Sequence, residues 1–310
     1  MKLVAITAGR KLGNTEICVK EALMAAEELG AEVQMINLHD CNIKPCTGCE
    51  VCTMMMAKGE RPKCIHKDKD DMDKIMDIAL NANGLIIGAP TYEMQPAALY
   101  NVFANRFIPY ETSFLAEIGA IEHAPKRVAG LIASGGSTLA WMNMALPSLY
   151  ISMLTQSVKI VDQLLATGVG RPGHVLLKED TLAKARKMGQ NLVEAMKTPY
   201  EQVKYLGEDQ GLCPVCHSNL IYKGQARWDG EHYAVECAVC AAGGNIQVNE
   251  KGDVAFVVDE KSKRTTRMDD KTRNDHLYEI KKHMKEFFSN IETVQARLGK
   301  YRDYKVRGLE

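Results

Sequence analysis

Residues 3–30, LVAITAGRKLGNTEICVKEALMAAEELG, decide the architecture. Leu3 to Thr7 form a short apolar strand, and 15–29 form an amphipathic helix that stops at Gly30. A strand that enters a helix through a glycine-rich turn is the opening half of a βαβ unit. The alternation continues to about Met196, with strands at Glu32–Leu38, Gly84–Gly88, Arg127–Ala133 and Val158–Leu165. Helices are expected over 69–82, 96–106, 138–154 and 178–196. Five apolar strands separated by helices imply an α/β fold, a doubly wound five-stranded parallel sheet with right-handed crossovers.

Ligands of such sheets sit beyond the carboxyl ends of the strands, so the loops there carry the candidate site. The first is TAGRKLGNTE, residues 7–16, where Gly9 and Gly13 let the backbone curl and Arg10, Asn14 and Thr15 offer donors. The helix N-terminus that follows favours an anion. The loop is neither GxGxxG nor a P-loop, and a monophosphate fits it best. An ordinary strand-to-helix turn would carry the same glycines and the same Asn-Thr cap. After the third strand comes GAPTYEMQPA, and after the fourth ASGGSTLAW. Backbone amides from Thr91 to Glu93 suit the polar edge of a flat ring, and Pro90 and Tyr92 leave the sheet beside it. Ser134, Gly135 and Gly136 permit its close approach. Tyr92 is the candidate catalytic side chain, with plain packing as the alternative.

Eight of the ten cysteines fall into two sets of four. Cys46, Cys49 and Cys52 form CxxCxxC, and Cys64 follows after eleven intervening residues. Three thiolates within seven residues, with a remote fourth, suit a 4Fe-4S cluster; a zinc ion or no metal are the alternatives. Cys213, Cys216, Cys237 and Cys240 form C-x2-C-x20-C-x2-C, the spacing of a four-cysteine zinc ribbon. Rubredoxin-type iron uses the same four sulfurs. The first knuckle, CPVC, has that character, while the second, CAVC followed by Ala-Ala-Gly-Gly, departs from it. His217 reads as a solvated neighbour, and Cys18 and Cys41 as small buried apolar residues.

The 310 residues carry a formal net charge of zero, which favours neither nucleic acid nor a membrane surface as partner. No run of 18 apolar residues offers a membrane span. CxxC pairs without a secretory signal imply reduced thiols and a cytoplasmic setting. The expected organisation is a nucleotide-type domain at 1–196 with its cysteine loop at 46–64, a linker at 197–212, a metal module at 213–258 and a charged helical tail at 259–310. In that tail Leu277, Ile280, Met284, Phe287, Phe288, Ile291, Val294 and Leu298 recur at spacings of three and four, the mark of a terminal amphipathic helix.

The runs GRKLGNT, IKPCTGCEVC, KCIHKDKDDMDKI and GLIIGAPTYEMQPAALYNVFANR, in that order, resemble the NADPH-dependent FMN reductase family, and within it the iron-sulfur flavoproteins. The resemblance covers about residues 1–195. It implies a flavodoxin-like fold and FMN, with the phosphate at Arg10, Asn14 and Thr15. The ring would meet Pro90, Thr91, Tyr92 and Glu93 on one loop and Ser134, Gly135 and Gly136 on another. It also maps cluster ligands onto Cys46, Cys49, Cys52 and Cys64, although the family's last spacer is shorter. Ala8 stands where the family has serine, and Asn105-Arg106 where it has Asp-Arg.

The resulting expectation is an FMN-dependent oxidoreductase that couples one-electron transfer through a 4Fe-4S cluster to two-electron flavin chemistry. Its donor would be NAD(P)H or ferredoxin and its acceptor a small molecule, with no nucleic acid or membrane partner. Alternatives are an NAD(P)H-dependent FMN or quinone reductase without a cluster, and a non-catalytic electron carrier. The resemblance further implies a homodimer or homotetramer.

Overall fold

The computed structural model describes residues 1–208 and 211–306. Asp209 and Gln210, part of the expected linker, lie outside the described residues. The first sheet holds five parallel strands, β1 (Lys2–Thr7), β2 (Glu32–Asn37), β3 (Gly84–Tyr92), β5 (Arg127–Ser134) and β6 (Val158–Ala166), in the order β2-β1-β3-β5-β6. A two-residue β4 (Gln95–Pro96) turns back antiparallel on β3. This is the flavodoxin-like order, and the switch point lies where β1 meets β3.

Alternation along the strands feeds two cores. Leu3 and Ala5 of β1 and Ile86 of β3 face α1 (Asn14–Glu28) and α7 (Glu179–Lys197). Val4, Ile6, Leu85 and Ile87 face α3 (Met72–Leu80), α4 (Ala98–Ala104) and α6 (Ala145–Leu154). Every residue of β5 is buried, as a central strand covered on both faces requires. The helix expected over 138–154 is instead a short 3-10 turn at Leu139–Trp141 followed by α6.

One extra residue reshapes the sheet edge. Ala129 pairs with Ile160 but Gly130 pairs with Asp162, so Val161 has no partner on β5. Its carbonyl accepts instead from Leu206 N–H at 2.7 Å and Gly207 N–H at 3.2 Å. Beyond the bulge the side-chain alternation reverses. Gln163 Nε2 donates to the Cys216 carbonyl at 3.3 Å, and Asp162 accepts from Asn191 of α7 at 2.8 Å.

Residues 221–258 form a second, antiparallel sheet of β7 (Ile221–Lys223), β8 (Val235–Cys237), β9 (Gly243–Val248) and β10 (Val254–Val258). The four late cysteines, Val239, Phe256 and Val258 share one continuous core with Tyr150 and Met153 of α6.

The tail is two helices, α8 (Asp270–Ser289) and α9 (Ile291–Asp303), broken at Asn290, whose side chain donates to the Glu286 carbonyl at 2.8 Å. α8 packs on α2 (Val51–Ala57), the helix inside the cysteine loop, and on α5 (Thr112–Glu117). Phe287, Phe288 and Leu298 remain exposed. No described helix is long and apolar enough to cross a membrane.

Two outcomes follow from these contacts. A Cβ on Gly189, in the middle of α7, would lie 2.0 Å from the Ala22 carbonyl oxygen of α1. Gly189→Ala should therefore lower stability by roughly 1–3 kcal/mol, although alanine is the better helix former; a thermal melt with an unchanged midpoint contradicts this. Glu111 is buried beneath Arg273 of α8, whose Nε stands 3.7 Å away. Burial pushes its carboxyl up to about 7, against the smaller opposing pull of Arg273 and Ser113. The native state then holds a proton that the unfolded chain releases at ordinary carboxylate pH. Stability should fall as pH rises through the window that ends near 7, by at most about 1.4 kcal/mol per pH unit. Glu111→Gln should flatten that part of the curve of melting temperature against pH.

Candidate functional site

At the carboxyl edge of the first sheet a cleft of about 280 Å³ is lined by the loops after β1, β3, β5 and β6. Arg10, Asn14, Thr15, Pro90, Thr91, Tyr92, Ser134, Gly135 and Gly136 all border it. Glu93 does not. It occupies, with Met94, the two-residue turn between β3 and β4, both at positive φ (47° and 64°). That is the type I′ hairpin geometry, here without the glycine or asparagine that adopts it cheaply. The turn projects Tyr92, 60 % exposed, at the rim.

The loops are tied to one another. Thr15 Oγ1 and Ser134 Oγ lie 2.6 Å apart, joining the start of α1 to the end of β5. Asn14 donates through Nδ2 to the carbonyls of Val169 at 2.7 Å and Arg171 at 2.8 Å, and accepts from Val175 N–H at 3.1 Å. Its side chain thus braces the loop after β6. Glu16, buried in the first turn of α1, contacts Lys20 at 2.7 Å and accepts from Asn37 at 2.8 Å. Burial raises its carboxyl, but Lys20, the Leu12 amide and Asn37 together hold it below the usual range.

Val169, Gly170, Arg171 and Pro172 complete the cleft. Sequence reasoning missed this segment, although TGVGRPG after the fifth strand repeats the glycine signal of the other loops. A Cβ on Gly136 would stand 3.1 Å from the Gly170 Cα, so two backbones meet there without side chains.

The donor set suits a phosphorylated flat ring. First-turn amides of α1 have no intrahelical partner, and the Arg10 guanidinium is exposed beside them. The Thr91 hydroxyl is buried without a hydrogen-bond partner at the cleft wall, an orphan that a ligand would satisfy. A larger cleft of about 970 Å³ lies between α6, β6 and the ribbon. Met142 lines it and also packs against Gly135, so one side chain stands between the two spaces.

In the cysteine loop Cys46 and Cys49 are exposed, and Cys52 and Cys64 are half-buried. Burial raises the Cys52 thiol, and the nearby charges of Cys64 and Cys46 raise it further. Those three therefore share one neighbourhood. They are not gathered around a single point, as one mononuclear ion would require.

The ribbon cysteines are. Sulfurs of Cys213, Cys216, Cys237 and Cys240 lie within 4.8 Å of one another, all buried. The two knuckles match. His217 N–H donates to the Cys213 carbonyl and Ala241 N–H to the Cys237 carbonyl, both at 2.9 Å, with His217 and Ala241 at φ 58° and 62°. His217 stacks on Tyr205 at 3.8 Å and is no ligand. Arg227 donates to the Ala241 carbonyl at 2.6 Å and pairs with Asp229, fastening the second knuckle.

Residues 1–160 match the model of the NADPH-dependent FMN reductases. The chain belongs to that family. It is a flavin-dependent oxidoreductase, and FMN is the family's cofactor. Over 277 residues, 84 % of this chain and 82 % of the relative, it is 27 % identical to a flavone synthase of Aspergillus candidus. Over 205 residues, 64 % of this chain and 98 % of the relative, it is 29 % identical to an iron-sulfur flavoprotein of Methanocaldococcus jannaschii. A solved flavone reductase has the same fold across the full length of both chains, with a TM-score of 0.76 at 24 % identity.

The family match takes in the loops after β1, β3 and β5 and the cysteine loop, and it ends inside β6. Of this member's departures, Ala8 is buried and its N–H donates to the Gly88 carbonyl at 2.8 Å, so the backbone there is committed to the sheet. The late four-cysteine group can hold a metal. With four buried thiols in so small a sheet, an ion held there would be part of its core. Cys213→Ser should therefore abolish metal binding at this site and cost several kcal/mol in the ribbon, read as a new low-temperature transition in calorimetry. An unaltered melt and metal content would contradict that.

Proposed function

We propose that this chain passes electrons from NAD(P)H, through FMN held in the 280 Å³ cleft, to a small-molecule acceptor. The observation that carries the reading is the convergence of four loop ends on a cleft holding an anion-binding helix start and the orphan Thr91 hydroxyl. Arg10 and the first-turn amides of α1 would bind the phosphate. Thr91 and the amides near Tyr92 would hold the polar edge of the ring, Gly135 and Gly136 would admit it, and Tyr92 would cover its open side. Bound there, FMN supplies two-electron exchange with nicotinamide and one-electron exchange with other centres. The Thr15–Ser134 bond and the Asn14 brace keep the loops at fixed separation, so that binding need not order them.

On this reading Cys46, Cys49, Cys52 and Cys64 carry a 4Fe-4S cluster and the ribbon carries zinc. The similarity to iron-sulfur flavoproteins, over 64 % of this chain, supports the cluster. Ferredoxin is then an alternative donor. Exposed Leu139, Trp141 and Met144 beside the clefts support a homo-oligomer, and reduced thiols support the cytoplasm.

A second reading rests on a different observation. Similarity to the flavone synthase extends over 84 % of this chain, whereas that to the iron-sulfur flavoprotein stops at 64 %. This favours a planar aromatic acceptor handled by two-electron flavin chemistry alone, with the larger cleft beside Met142 as its entrance.

Anaerobically purified protein should retain FMN, iron, acid-labile sulfide and zinc, and should oxidise NADPH with a quinone or a flavone as acceptor. Flavin and zinc without sulfide select the second reading, and protein that binds no FMN overturns both. Within the cleft, Arg10→Ala should weaken FMN about 10- to 100-fold, as expected for a lost charged hydrogen bond, and Thr91→Val about 2- to 10-fold. Quenching of flavin fluorescence on titration measures both.

A further inference from the structure

Arg106, two residues beyond α4, is 2 % exposed and lies in no cleft described above. Its Nη1 donates to Asp70 Oδ2 and to the Lys44 carbonyl, each at 2.7 Å. Asp70 is as deeply buried, and also accepts from the Lys44 N–H at 3.0 Å. These bonds fix the guanidinium at the base of the cysteine loop, two residues before Cys46. Its other donors make no hydrogen bond: Nε and Nη2 lack a partner among the described residues. Against the opposing effect of burial, Asp70 and the charge of Cys64 hold the guanidinium above its ordinary pKa. The His66 N–H donates to Cys64 Sγ at 3.5 Å.

A buried cation with unmade N–H bonds is costly unless an anion accepts them. Cys64 also has a difficulty that Arg106 resolves. Eleven residues separate it from Cys52, so the chain alone does not deliver it to the other three thiols. We infer that Arg106 is a positioning residue for the cysteine loop: Asp70 and Lys44 aim its free edge at Cys64, and that edge holds the Cys64 sulfur as fourth ligand of an iron-sulfur cluster. The inference rests on the cluster reading given above. N–H···S bonds to a ligating sulfur raise a cluster's reduction potential and fix the ligand's orientation, so Arg106 sets both the completeness and the potential of the centre.

The test uses full-length protein purified without oxygen and reconstituted with iron and sulfide. Arg106→Lys keeps the charge beside Asp70 but has no second donor edge, so the fold is retained and the contact to Cys64 is lost. Its cluster should show a lowered midpoint potential, or the electron paramagnetic resonance signal of a three-iron cluster, with FMN content unchanged. Cys64→Ala is the reference for a missing fourth ligand and should give the three-iron signal. If Arg106→Lys matches the wild type in potential and spectrum while Cys64→Ala does not, the inference is overturned and the cluster reading stands. If the reconstituted wild type holds no labile sulfide, the cluster reading fails and takes this inference with it. Arg106→Met, should it fold, is expected to match Cys64→Ala; a wild-type spectrum from it also overturns the inference.

Discussion

Backbone pairing between parallel strands is the constraint on which the cleft depends. Thr7 is registered with Gly88, Pro90 with Ser134, and Ser134 with Ala166. β3, β5 and β6 therefore reach one level together and β1 ends two residues below it, so each hands its chain to a loop on the same edge of the sheet. Parallel strands run the same way, so their loop ends collect amides and glycines where a ligand can meet all of them. The Thr15–Ser134 contact and the Asn14 bonds to Val169 and Arg171 then lock adjacent loops together. Shifting the register by one residue would turn Val4 and Leu85 out of their core and scatter the loop ends at once.

The ribbon and tail depend on a smaller irregularity in the same sheet. The unpaired Val161 leaves a carbonyl at an exposed edge, and such a group needs a partner. Leu206 and Gly207 supply it, which lays the segment before the ribbon along β6. With the alternation reversed, Gln163 reaches the Cys216 carbonyl, and the cysteine knuckles pack on α6. Arg267 N–H then donates to the Cys240 carbonyl at 2.8 Å, and its side chain to the Ala238 carbonyl at 2.7 Å. From that anchor α8 begins, with Asp269 capping Thr272 N–H, and it runs across α2. The late cysteine set thus helps to place the helix that covers the early one.

Local chemistry made much of this visible beforehand. Period-two and period-3.6 apolar patterns mark the five strands and most helices within a few residues, because burial on a sheet or a helix face imposes them directly. The loops after β1 and β5 announce themselves by glycine, and the one after β3 by Pro90-Thr91-Tyr92. Cys213 to Cys240 announce a metal group by paired knuckles. The helix expected across 138–154 was partly misread, since its apolar residues recur through a 3-10 turn and a loop that periodicity alone does not separate. The break at Asn290 was missed for the same reason: the apolar spacing continues across it.

Element type, turn chemistry, cysteine spacing and the family's motifs are legible in the chain because each is settled by one segment with its own neighbours. The features hidden until the chain folds join residues that are far apart in it. Examples are the Val169–Pro172 wall of the cleft, the bulge that seats the ribbon, and the meeting of Asp70, Arg106 and Cys64. Arg106 reads only as half of a family dipeptide at a helix end until packing buries it to 2 % exposure. The physical reason is that burial and hydrogen-bond satisfaction belong to the whole fold, and a side chain's partners are set only once distant elements have closed around it.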